Sequence, residues 1–271
     1  MNKLYAMLVI TAVMLPFHAI AEDGPPNQGW SYSIGFGAIA MPSYLGDDDI
    51  QILTIPIFSV TYSDRFFVSL FEGVGYNIIK NDNWRIGIVG KYDFGRKENG
   101  SNPFIIGGDE TNDLEGLGDV DGTVELGGFV EYTVHPIAMK VEARQGVGGH
   151  EGLIGEVKVE YKDRGKILQK PFYLVIGPEI KYADSSYHEA FFGVNDRQSA
   201  ASGLSRYTTD AGLLSYGISG SVVVALTKHV STLLFASVSQ LGEEAADSSL
   251  VQERGSEQQG TIGMFVNYRF K

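Results

Sequence analysis

The sequence predicts an all-β protein, an antiparallel transmembrane β-barrel of twelve strands (ten as the alternative) exported behind a cleaved signal peptide. Three observations carry this expectation. The chain opens with a secretory leader, it then alternates apolar and polar residues in segment after segment, and it ends in a two-faced strand, TIGMFVNYRFK.

The leader is residues 1–21. Lys3 supplies the positive start, Leu4 to Phe17 the apolar stretch, and Ala19-Ile20-Ala21 a small-x-small cleavage site. The apolar stretch is short for a membrane anchor. Cleavage after Ala21 leaves a mature domain over 22–271. The sequence contains no cysteine, so neither a lipidated cysteine nor a disulfide is available to the exported chain. Loss of Lys3 with the leader leaves 20 basic against 33 acidic side chains, a net charge of −13. A surface that acidic argues against nucleic acid and against a polybasic membrane anchor. Beyond residue 21 no apolar run is long enough for a transmembrane helix.

The strand pattern fills the rest. Glycine reaches 34 residues and aromatics 11%, while helix signatures are nearly absent. In GWSYSIGFGAIA, Trp30, Tyr32, Ile34, Phe36, Ala38 and Ala40 share one face, against Ser31, Ser33, Gly35, Gly37 and Ile39 on the other. WRIGIVGKYDF sets Trp84, Ile86, Ile88, Tyr92 and Phe94 against Arg85, Gly87, Lys91 and Asp93, with Val89 as an exception. The segments around 122–134, 137–146, 153–162 and 171–183 place Glu125, Glu131, Lys140, Glu142, Arg144, Glu156, Lys158 and Glu160 opposite Val, Leu, Ile and Tyr. A soluble sandwich also alternates, but its polar face meets bulk water. Here the polar face mixes glycine and serine with charges of both signs, which suits the crowded inside of a barrel. Aromatics near segment ends (Trp30, Tyr62, Trp84, Tyr92, Tyr132, Tyr182, Tyr268) match interfacial girdles.

Eleven segments can be read: 29–40, 50–62, 66–79, 84–94, 122–134, 137–146, 153–162, 171–183, 212–227, 230–241 and 260–270. Barrels with both termini in the periplasm need an even number. Counting back from a descending last strand puts 95–121, 184–211 and 242–259 outside the cell, with tight turns at 135–136, 163–170 and 228–229 in the periplasm. Parity breaks only before residue 84, so a strand within 29–79 is split, is not spanning, or has been missed.

Signals for chemistry are sparse. His135, His150, His188 and His229 show no metal-ligand spacing. His188 with Ser185, Ser186 and Glu189 is the one grouping that invites a hydrolase reading, and a polar loop is the plainer explanation. No GxSxG or phosphate loop occurs, so no enzyme, cofactor or catalytic residue is expected. Asp47, Asp48 and Asp49, with Asp109, Glu110, Asp113, Glu115, Asp119 and Asp121, form acidic connections. They are either solvated loops or places for a hard cation shared with lipopolysaccharide. The 184–211 connection carries Phe191, Phe192, Leu204 and Tyr207, and this apolar content predicts that it folds over or into the barrel.

Within that connection, YHEAFFGVNDRQSAASGLSRY resembles the hallmark segment of the MipA/OmpV family of MltA-interacting outer-membrane proteins. The matching positions are Tyr187, Phe192, Gly193, Val194, Gln198, Ser199, Ala200, Gly203, Leu204 and Tyr207. MPSYLGDDD, FGRKE with LEGLGDVDGTVELG, AADSSLVQERGS and the terminal NYRF are similar to the family in the same order. Ser249 departs from a frequent proline, and Lys271 follows the aromatic that usually ends such chains. The resemblance implies a non-enzymatic barrel in the outer membrane, in contact with its lipid and with the barrel-assembly machinery. It also implies a scaffold between a lytic murein transglycosylase and a penicillin-binding protein, with the hallmark residues as partner candidates. A narrow porin-like channel for small solutes is the alternative. The end of the chain resembles the sorting signal of such barrels, with Ile262, Met264, Val266, Tyr268 and Phe270 toward lipid.

Two outcomes follow from these expectations. Phe270→Ala should impair assembly, whereas deletion of Lys271, a cation able to snorkel to the interface, should be tolerated; membrane yields of the two variants compare them, and equal yields would refute the assignment. A cysteine placed in 184–211 should react with an impermeant reagent on whole cells. Labelling only after rupture of the outer membrane would invert the orientation.

Overall fold

A computed structural model describes residues 29–100, 104–108 and 111–270; the leader and Lys271 lie outside them. The strands are β1 (Trp30–Pro42), β2 (Ile50–Tyr62), β3 (Phe66–Ser69), β4 (Gly73–Lys80), β5 (Trp84–Asp93), β6 (Ile105–Gly108), β7 (Thr123–Val134), β8 (Ile137–Val147), β9 (Leu153–Ile167), β10 (Lys170–Ala183), β11 (Gly212–Ala225), β12 (Val230–Leu241) and β13 (Gln258–Arg269). Four short helices interrupt the connections: α1 (Ser185–Phe192), α2 (Asp196–Ser202), α3 (Glu243–Ala246) and α4 (Ser249–Arg254). No described helix is long and apolar enough to cross a membrane.

Every pairing is antiparallel, and the sheet closes on itself. β1 pairs with β13 from Ser33↔Arg269 to Ala40↔Ile262, and on its other side with β2 from Trp30↔Tyr62 to Pro42↔Ile50. Twelve strands make the ring; β6 stands outside it and pairs with the edge of β2 at Gln51–Leu53. Closure matters physically, because hydrocarbon offers no partner to a free backbone N–H or C=O. The expected twelve strands are therefore present, and the parity problem has a definite origin. The segment 66–79 is two strands, turned back at Leu70-Phe71-Glu72. The expected turn over 163–170 is a correction in the other direction: β9 and β10 stay paired as far as Ile167↔Lys170, so the turn is only Leu168-Gln169.

The alternation sorts side chains as its two-residue period requires. Trp30, Tyr32, Ile34 and Phe36 face outward, as do Ile262, Met264, Val266, Tyr268 and Phe270, while Ser31, Ser33, Ile39, Phe265 and Asn267 are buried inside. Aromatic pairs ring the end where the chain terminates: Trp30 lies 4.8 Å from Tyr62 and Trp84 4.5 Å from Tyr132. Inward glycines make room for large neighbours. A Cβ on Gly37 would stand 2.4 Å from the Phe265 ring, and one on Gly75 would stand 2.1 Å from Phe67.

The two ends of the barrel differ. The terminal rim carries only short turns, and one hairpin, β9–β10, extends beyond the others. Its tip uses Leu168 and Gln169 at φ 49° and 64°, the paired left-handed conformation of a tight two-residue hairpin, and Leu168 is 92% exposed. The opposite end carries the connections 43–49, 94–122, 148–152, 184–211 and 242–257, which fold into a cap.

Candidate functional site

Three features distinguish this barrel: the cap, the filled lumen and an interrupted wall.

The cap is built on the 184–211 connection, which is ordered as its aromatics predict. Asp184 caps α1 by accepting from Tyr187 N–H, and Asn195 caps α2 with Gln198 reaching back to the Asn195 N–H, a complete capping box. Gly203 ends α2 at φ 80°, where a side chain would be strained. Val194 and Tyr207 bridge the two limbs through backbone bonds. Tyr187, Phe191, Phe192, Val194 and Leu204 are buried, packed on Ile154, Leu214, Leu241, Val251 and, further across, Tyr44, Leu114, Leu117 and Leu250. The remaining hallmark residues hold the same unit together. Gln198 donates to the Leu117 carbonyl (2.7 Å), Ser199 to that of Leu204 (2.7 Å), and Tyr207 to that of Glu244 (3.1 Å). A Cβ on Gly193 would meet Glu189 at 2.5 Å. The structure thus places the hallmark residues together, and most of them inside the cap.

Two arginines tie the cap through helix ends, where unpaired carbonyls carry partial negative charge. Arg96 is fully buried and donates to the Phe191 carbonyl at 2.6 Å; burial pushes its guanidinium down to about 10, with Tyr44 pulling the other way. Arg254 donates to the carbonyls of Ser202 and Asp113. Ser248 Oγ reaches the Phe192 carbonyl at 2.6 Å, and Ser249 Oγ, at the position expected to depart from proline, reaches that of Ser205 at 2.6 Å. His188 is buried, its Nδ1 lies 3.1 Å from the Asp184 carbonyl, burial lowers its pKa, and Glu189 is engaged by Thr209. At the cap's edge the carboxylates of Asp47, Asp48 and Asp113 approach one another. Burial, with the charges of Asp49 and Asp113, pushes Asp47 up to about 7.

The lumen is divided lengthwise. On β5 and β7–β10 the expected inward charges form a lattice. Glu142 accepts from Lys91 (2.7 Å), Lys140 (2.6 Å) and Arg144, and Arg144 reaches on to Glu125 (2.7 Å). Lys158 bridges Glu156 (3.0 Å) and Glu179 (3.5 Å), and Lys162 pairs with Glu131 (2.6 Å) and Glu160 (3.3 Å). Arg85 sits between the Phe67 and Phe129 rings at 5.0 and 4.8 Å while pairing with Glu72 (3.0 Å). Across β1, β2 and β10–β13 the inward face holds an apolar cluster among buried serines and Asn267, which the sequence pattern did not anticipate. Ile39, Leu53, Ile55, Ile57, Val175, Val223, Leu233, Phe235 and Phe265 pack inside it. The β3–β4 turn enters the lumen and lays Phe71 edge-on against Phe265, 5.5 Å between centroids. Cavities of about 130 and 260 Å³ remain, and both are lined by Phe71, Lys91 and Glu156.

The wall is interrupted where β3 and β4 stop short. β3 meets β2 only over Ser59–Tyr62, and β4 meets β5 no higher than Gly90. Thr54 N–H bonds the Phe104 carbonyl, so the N–H positions of residues 54, 56 and 58 all face this opening. Pro56 removes the middle donor, the usual place for proline on a strand edge. An apolar groove of about 840 Å³, lined by Phe58, Val68, Leu70, Val74, Tyr76, Ile88 and Leu126 among others, runs along the opening and shares Leu70 and Lys91 with the lumen.

The lattice yields a test. Glu142 holds three cations and its side chain is 1% exposed. Glu142→Gln should destabilise the folded barrel by about 3 kcal/mol or more, the usual effect of stranding buried charge. Urea titration of the heat-modifiable folded band measures it; an unchanged midpoint would show that the lattice is screened by water.

No curated protein matches the sequence. Among solved structures, the chain is similar to the KdgM porin, with 9% identity, a TM-score of 0.41, and coverage of 88% of this chain and 99% of that one. It is also similar to a bacterial polysaccharide outer membrane secretin, with 10% identity, a TM-score of 0.44, and coverage of 89% and 98%. The anion-selective porin from Comamonas acidovorans shares 9% identity at a TM-score of 0.30, with coverage of 89% and 98%. The family model for MltA-interacting protein MipA matches residues 34–270, nearly the whole barrel, and the chain belongs to that family.

Proposed function

We propose that the protein is a non-enzymatic outer-membrane scaffold that holds murein-remodelling enzymes, a lytic murein transglycosylase and a penicillin-binding protein, beneath the membrane. The family's description as MltA-interacting supports a murein-related partner. The observation that carries the scaffold reading is the filled lumen: an apolar half, an ion-pair half and an inserted Phe71 leave small cavities, so the protein acts through its surfaces. On the terminal rim, the protruding β9–β10 tip offers the best handle. Leu168 and Ile167 are exposed there between Lys166 and Lys170, an apolar knob with a basic collar. In this reading the hallmark residues act indirectly, by keeping the cap and hence the barrel rigid.

Immobilised native barrel should retain the transglycosylase or the penicillin-binding protein, and Leu168→Asp should reduce retention about tenfold, as loss of a central apolar anchor does. Failure of the wild-type barrel to retain either enzyme would sink the scaffold.

A second reading, a narrow solute path, is favoured by one observation: the two lumen cavities meet at Phe71. Wild-type protein in planar bilayers should then give stepwise current, and Phe71→Gly should enlarge it. Silence from correctly folded wild type would remove the solute path.

A further inference from the structure

We propose that the cap contains a Ca²⁺ site, formed by the carboxylates of Asp47 and Asp48 from the 43–49 connection and Asp113 from the 94–122 connection. Two separate loops bring these groups together, and one ligand oxygen from each lies within 4.8 Å of the others. Among the described residues no lysine or arginine forms an ion pair with any of the three. Like charges gathered without a cation repel, so such a cluster needs a counter-charge or solvent.

A second observation singles out a ligand. Asp47 is 1% exposed, its Oδ1 accepts the Asp49 N–H at 3.1 Å, and its Oδ2 is buried without a hydrogen bond of ordinary length among the described residues, although the Ser43 hydroxyl lies near enough to favour the carboxylate's charge. A buried carboxylate oxygen left in this way is rare in folded proteins. The position of Asp47 is fixed independently: Gln259 accepts from Gly46 N–H (3.0 Å) and donates to the Asp47 carbonyl (3.2 Å). Asp113 is fixed too, with its carbonyl held by Arg254 (2.6 Å) and its Oδ2 accepting from Thr111 Oγ1 (3.2 Å). Asp48 is exposed, which leaves a side for the ion to enter and for water to complete its shell. Hard oxygen donors from irregular loops, with no imposed octahedron, suit Ca²⁺ better than Mg²⁺. The ion would staple two connections that also meet through the packing of Tyr44 with Leu114 and Leu117.

The test uses the full mature barrel refolded in a detergent free of lipopolysaccharide, with Tb³⁺ as the Ca²⁺ surrogate. Tyr44, whose phenol feels the charges of both Asp47 and Asp113, should sensitise Tb³⁺ emission. Ca²⁺ at about 1 mM, typical of extracellular oxygen-ligand sites, should displace it. Asp47→Asn and Asp113→Asn should each weaken Tb³⁺ binding at least tenfold, while Asp196→Asn, an exposed acid elsewhere on the cap, should not. Ca²⁺ should also raise the melting temperature of wild type but not of Asp47→Asn. Asp47→Asn should itself fold, and without cation it should melt no lower than wild type, because it removes a buried charge. Equal Tb³⁺ emission from wild type and Asp47→Asn, or a melting temperature indifferent to Ca²⁺ in wild type, would overturn the site.

Discussion

The demand that shapes this molecule is that hydrocarbon supplies no hydrogen bonds, so every strand must find its partners in another strand. β1 meets that demand on both sides, with β13 and β2, and the ring closes. The same demand gives the interrupted wall its form. Where β3 and β4 stop short, the edge of β2 is covered above by β6 and Phe104 and thinned in the middle by Pro56. An edge that lacks a donor has less to lose from facing lipid.

Closing the ring creates the second demand, an interior that must be filled. Twelve strands enclose more space than glycine and serine can fill. The protein fills one half with branched and aromatic side chains and the other with opposed charges. The charged half works because its members are shared: Glu142 serves three cations and Arg144 two carboxylates, so fixing one side chain fixes several. Phe71 crosses the boundary between the halves because the short β3–β4 hairpin ends inside the barrel rather than at its rim.

Most of the strands, and the face each residue takes, were legible because a period of two needs only a few residues to declare itself. The failures have particular causes. FFVSLFEGVGY keeps alternating through the β3–β4 turn, and its turn residue, Gly73 at φ 81°, is one glycine among many in the strands, so two strands read as one. Asp163, Arg164 and Gly165 look like a turn, yet they stay paired because that part of β9 projects beyond the other strands. The apolar half of the lumen was hidden because alternation shows that faces differ, not that an inward face is apolar. Ile39 on a face of serine and glycine was the visible hint. In the cap, Asn195 and Gln198 carried a capping-box signal that a search for strands passes over. The meeting of Asp47 with Asp113 was beyond reach, since it depends on how two distant loops settle against each other.

The placement of the hallmark residues then has a physical explanation. Strand residues are constrained only to be apolar outside and to balance charge or fill volume inside, and many sequences satisfy that. The cap admits fewer solutions. Tyr187 and Phe192 must fit one buried cluster and Val194 and Leu204 the next, Gly193 lies against Glu189 where a Cβ has no room, Gly203 takes a left-handed conformation that a side chain would oppose, and Gln198 must cap a helix and hold Leu117 at once. A recognisable motif accumulates where side-chain identity, rather than polarity alone, is required, so its presence in the cap marks a demand for one fixed shape there. A cap locked by Arg96, Arg254 and these side chains seals one end of a filled barrel. In the scaffold reading proposed above, the terminal rim with its projecting Leu168 is the surface that meets a protein partner.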